Sequence, residues 1–151
     1  MKHRNLVVLA IAAAVGILSA AVFAQVAHPY HNGSVWDIAM IRIKPGMDEA
    51  YLKYLTGEWK AAHEAMKKDG LILSYKVLMT EAHGSNDWNM LLMTEFKDMA
   101  TMEANEDKMD AVEEKVTGDQ KKQEEGYKNR ESIREVLGDR MAREIVLEPK
   151  K

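Results

Sequence analysis

The sequence contains no cysteine. That excludes disulfide staples and thiolate metal sites. It also lacks a basic stripe, an internal repeat and a low-complexity tract. Without clustered lysine and arginine a nucleic acid is an unsuitable partner, because phosphate neutralisation dominates such binding. Stability must therefore come from a core, from oligomerisation, or from both.

What is present begins with a basic start. Lys2 and Arg4 precede an uncharged apolar run from Leu6 to Ala24. The run closes on Val22-Phe23-Ala24, a small-x-small pattern, so residues 1–24 read as a secretory signal and the mature chain is expected to start at Gln25. An uncleaved anchor helix is the rival reading, and only then would the chain meet a membrane. Cleavage leaves 127 of the 151 residues, the length of one domain. It takes Lys+Arg from 21 to 19 against 24 acids, and the formal charge from −3 to −5. The expected location is periplasmic or secreted.

Residues 25–34 read as an irregular leader, followed by one domain over 35–148. Val35 to Lys44 is β-branched and aromatic and stops at Pro45-Gly46, which predicts a strand. Met47, Tyr51, Tyr54, Leu55, Trp59, Ala62 and Met66 form an apolar stripe at helical spacing, and Gly70 is a fitting helix end. Leu71–Thr80 and Trp88–Phe96 read as strands of a hairpin around Gly84. Asp98 is a natural N-cap for a second helix with Met99, Met102, Met109, Val112 and Val116 on one face. The charged stretch from Asp119 to Glu135 reads as a third helix, introduced by a capping-box pattern at Thr117 and ended by Gly138. Met141–Glu148 reads as the last strand.

Both strand faces are apolar. Trp36, Ile38 and Met40 oppose Val35, Ala39, Ile41 and Ile43. Trp88, Met90, Leu92 and Phe96 oppose Leu91 and Met93. Helices cover one face only, and a bare apolar face is unusual on a soluble monomer. A homodimer joined through the sheet is therefore expected.

The order strand–helix–strand–strand–helix–strand is α+β and ferredoxin-like, with helices on one face and the charged helix inserted before the last strand. With the Ile43-Lys44-Pro45-Gly46 strand exit and the Glu95-Phe96-Lys97-Asp98-Met99 helix entry, it resembles the dimeric α/β-barrel superfamily. That group includes antibiotic-biosynthesis monooxygenases, haem-degrading monooxygenases, stress-responsive barrel proteins and NIPSNAP-type proteins. The resemblance implies a pocket between helices and sheet. The haem-degrading pattern places an Asn on the first strand and a His on the second helix. Here the first strand carries Asp37, and residues 98–117 hold no His, so no cofactor is expected.

Candidate catalytic residues are His63 as a base, with Tyr75 and Glu95 as polar groups of a pocket. Trp36, Asp37, Trp59, Trp88 and Met90 are candidate ligand-binding residues. Each has a plainer reading: His63 as a packed boundary residue, Trp88 as a core aromatic, Asp37 and Glu95 as solvated strand-end carboxylates. The 11 methionines suggest copper, but Met90 and Met93 lie on opposite strand faces, so no metal site is expected. His28 and His31 would form a copper chelate only if cleavage followed Ala27. The functional expectation is an exported dimer that binds a small apolar ligand or has no catalytic role. The alternative is a cofactor-independent monooxygenase or isomerase acting on a small aromatic substrate.

Overall fold

The computed structural model describes residues 29–84 and 87–148. The expected signal segment lies outside them. Among the described residues no helix is long and apolar enough to cross a membrane. Asn32–Val146 forms one compact unit. In the described ends outside it, the ring Nδ1 of His31 is 2.9 Å from the Glu148 carbonyl oxygen.

Strand β1 spans His31–Ile43. It begins before Val35 because His31–Ser34 are strand, not leader. Helix α1 (Asp48–Tyr54) runs into a π-helical stretch at Leu55–Trp59 and on into α2 (Lys60–Lys68). Tyr51, Leu55, Ala62 and Met66 of the expected stripe are buried, whereas Met47 precedes the helix and is exposed. Gly70 ends this helix with φ at +71°, a left-handed position that glycine occupies without strain.

Strands β2 (Ser74–Met79) and β3 (Met90–Phe96) form the expected hairpin, with Val77 opposite Leu92. Trp88 falls just outside β3. Asp98 caps α3 (Met99–Ala104), its carboxylate accepting from the Thr101 amide at 2.7 Å. Asn105 interrupts the second helix, and α4 resumes over Glu106–Thr117. Helix α5 spans Gln120–Glu131, capped by Asp119. Thr117 takes no part in that cap; its hydroxyl donates back to the Glu113 carbonyl.

The largest departure from expectation is β4, which spans Arg134–Val146. Arg134 and Glu135, expected to close the charged helix, are strand instead. Gly138 does not end a helix either. It lies within β4 at φ +150°, a conformation essentially reserved for glycine.

The four strands form one sheet in the order β2-β3-β1-β4. β1 and β2 both run antiparallel to β3. β4 also opposes β1: Lys44 meets Ile133, Arg42 pairs with Glu135, and Ser34 meets Glu144. This α+β arrangement is consistent with a ferredoxin-like fold.

The helices cover the face that carries Val35, Ala39, Ile41 and Ile43. Ile41, Ile43, Tyr51, Leu55 and Met90 form one core cluster. Met66, Leu71, Ile72 and Phe96 form a second, packed by Met102, Met109 and Val112. Among the described residues no helix covers the opposite face. In register across it lie Met40–Leu91–Leu78 and Ile38–Met93–Lys76. Leu78 there is 49 % exposed.

Candidate functional site

Between the two core clusters the helix-covered face carries a polar row. Asp37 of β1, Thr94 of β3 and Tyr75 of β2 lie side by side. Above this row α2 places His63, and the end of the π-helical stretch places Trp59. Such wide turns recur at functional sites because they re-aim side chains along a helix.

The Trp59 and His63 rings stack at 3.8 Å between centroids. Tyr75 stands edge-on to both, at 5.3 Å and 5.4 Å. His63 Nδ1 lies 2.8 Å from the Trp59 carbonyl oxygen. A carbonyl can only accept, so Nδ1 carries the proton and donates. Nε2 is then the lone-pair nitrogen, and it accepts from the Thr94 hydroxyl at 3.0 Å. Burial lowers the His63 pKa, which outweighs the opposing effect of the carbonyl bond. The ring is a neutral base in a fixed tautomer.

Tyr75 donates to Glu64 at 2.5 Å, and this bond is the main reason its pKa is pushed up to about 12. The phenol therefore keeps its proton. The Asp37 carboxyl is also raised, first by burial and then by Asp139. The layer thus carries a carboxyl raised above, and an imidazole lowered below, its ordinary value, two groups of the kind that move protons.

The sequence-predicted set divides. Trp59, His63, Tyr75 and Asp37 come together on the covered face. Trp36 and Glu95 do not join them. They pair with each other across β1 and β3 on the open face, because each is one residue out of step with the polar row. There Glu95 accepts from Ser74, and Lys76 sits 4.8 Å over the Trp36 ring. Glu95 is therefore not a catalytic candidate of this layer. Met90 is 0 % exposed and packs in the core with Ile41, Ile43, Tyr51 and Leu55. Trp88 is half-buried ahead of β3 and belongs to neither core cluster. Asn89, beside it, extends the sheet: its side-chain oxygen accepts from the Ile43 amide at 2.8 Å.

Thr94 and Glu64 are members of the layer that sequence reading missed. Thr94 had a signal, being a polar residue between Leu92 and Phe96 on an otherwise apolar face. A polar group in such a place has a partner. Among the described residues no cluster of three metal-ligating side chains occurs.

The low His63 pKa has a consequence for stability. Between the ordinary imidazole value of 6.5 and the lower folded value, the unfolded chain binds more proton than the folded one. Stability therefore falls as the pH drops below about 6.5 and flattens below the folded pKa. Urea unfolding from about pH 8 to about pH 5 is expected to show this slope, and His63→Gln to lose part of it. An unchanged slope in the variant would place the titration elsewhere.

Fold and layer together define a ferredoxin-like α+β protein with a half-buried aromatic–imidazole layer. No known protein family and no curated protein matches the chain. Among solved structures it is similar to the crystal structure of HapK from Hahella chejuensis. The identity is 12 %, the TM-score 0.44, and the match covers 72 % of this chain and 90 % of that one.

Proposed function

We propose that the chain is an exported homodimer of the α/β-barrel type that binds a small apolar or aromatic ligand between helices and sheet. The observation that carries the reading is the neutral His63 ring, stacked on Trp59, edge-on to Tyr75 and hydrogen-bonded to Thr94. Aromatic walls with a few convergent polar groups are the usual make-up of a small-molecule site. The apolar face bearing Trp36, Ile38, Met40, Leu91 and Met93 supports the dimer. A second copy of that face is the simplest cover, since a two-fold axis pairs the same patch of both subunits. The basic start, the apolar run and the Val22-Phe23-Ala24 ending support export to the periplasm or beyond.

One observation favours a second reading, a cofactor-independent oxygenase or isomerase. The Nδ1–H bond to the Trp59 carbonyl leaves Nε2 as the basic nitrogen, engaged only by a hydroxyl. A substrate O–H or acidic C–H displacing Thr94 would deliver its proton there.

The test uses 2-naphthol as probe, followed by Trp59 fluorescence in a Trp36→Phe/Trp88→Phe background. Saturable quenching is expected, weakened about tenfold by His63→Ala and less by Tyr75→Phe. Affinity indifferent to both substitutions would remove the layer from the function. Consumption of the probe, lost in His63→Ala, would favour the enzyme.

A further inference from the structure

A second site stands apart from the His63 layer, where β1 ends and β4 begins. Arg134, the first residue of β4, is 7 % exposed. Its guanidinium sits 4.8 Å over the Tyr127 ring of α5 and 5.8 Å over the Tyr51 ring of α1. Among the described residues the one ion pair is Arg42–Glu135, so Arg134 has no carboxylate partner. Its buried Nε has no hydrogen-bond partner either. Ring faces offset part of the cost of burying a cation, but an unmet charge-bearing donor remains expensive.

A cavity of about 320 Å³ opens here, lined by Lys44, Tyr127, Glu131, Arg134, Glu135 and Val136. Lys44 donates to the Glu131 main-chain oxygen at 2.7 Å, which leaves two of its N–H groups for another acceptor. Two cations, an aromatic ring and an aliphatic side chain thus share one small cavity. Arg42 occupies the Glu135 carboxylate. The Glu131 carboxylate remains and opposes a dianion. Size, charge and the ring select one ligand class.

We infer that this corner binds a small monocarboxylate with a flat apolar body, its carboxylate between Arg134 and Lys44 and its body against Tyr127 and Val136. A guanidinium with a free N–H is suited to a carboxylate, and charge-assisted bonds of this kind are stronger than neutral ones. The inference is independent of the His63 reading.

The probe is benzoate, titrated calorimetrically into the full-length protein near neutral pH. Benzamide, its uncharged analogue, and inorganic phosphate serve as comparisons. One saturable benzoate site is expected, with benzamide and Lys44→Gln each weakening binding about tenfold. Phosphate is expected to bind more weakly than benzoate. Arg134→Gln is expected to abolish binding; should that variant unfold, Lys44→Gln, at an exposed position, decides alone. His63→Ala is expected to leave benzoate affinity unchanged. The inference is overturned by no saturable binding, by equal affinity for benzoate and benzamide, or by an unaltered Lys44→Gln affinity. Loss in His63→Ala with no change in Lys44→Gln would place benzoate in the histidine layer. That result overturns this inference while leaving the first reading standing.

Discussion

Met93→Lys is expected to give a folded chain that cannot form the proposed sheet-to-sheet dimer. Met93 stands in the centre of the uncovered sheet face, between Ile38 and Lys76. Within one subunit it is only half-buried, so a lysine there can lay its stem along the sheet and keep its ammonium in water. In a face-to-face dimer the two-fold axis brings two such ammonium groups into a desolvated interface. An unpaired buried charge costs about 3–5 kcal/mol, which shifts the dimer dissociation constant more than about a hundredfold. Sedimentation velocity at micromolar protein reads the change. Leu91→Lys, on the same face, should behave alike. Leu52→Lys, on an exposed helix surface, should not. A Met93→Lys chain that still sediments as a dimer would move the interface off this face.

Met90→Ala is expected to produce the largest loss of stability of any single truncation on the sheet. Met90 is fully enclosed by Ile41, Ile43, Tyr51 and Leu55. It also holds the end of the β1–β3 ladder opposite Ile41. Removing its side chain sacrifices apolar burial and leaves a cavity that rigid neighbours fill poorly, costing about 2–5 kcal/mol. Thermal and urea unfolding should both show it. The same variant should bind the naphthol probe normally wherever it is folded, because Met90 is core and not part of the layer. A destabilisation under about 1 kcal/mol would mean that the cluster is loosely packed there.

Much of the fold was legible because its signals were local and periodic. The stripe Tyr51, Leu55, Ala62, Met66 marked the first helix, and Asp98 marked the start of the second. The β4 start was not legible, for a physical reason. Arg134 holds an inward position normally filled by an apolar residue, stacked between Tyr51 and Tyr127. Its charge hid the strand alternation and made Arg134–Glu135 look like continuing helix. Gly138 compounded this, since a glycine that ends a helix and one that sits in a strand at φ +150° look the same in sequence. Alternation separated the two sheet faces but not which one the helices cover. That depends on packing between distant segments. For the same reason Trp36 and Glu95 were grouped with Tyr75, although they lie on opposite sides of the sheet. His63 and Trp59 were legible as neighbours one turn apart. Thr94 became visible only when β3 was brought under α2.

The central claim is that the two sheet faces do separate jobs, one joining two copies and the other holding a ligand under His63. Native mass spectrometry of the wild-type protein, purified without added ligand from the cell envelope fraction of an expressing host, reads both at once. The expected spectrum is a dimer that retains a small neutral molecule released on activation. A ligand-free monomer at micromolar concentration would contradict both halves of the claim.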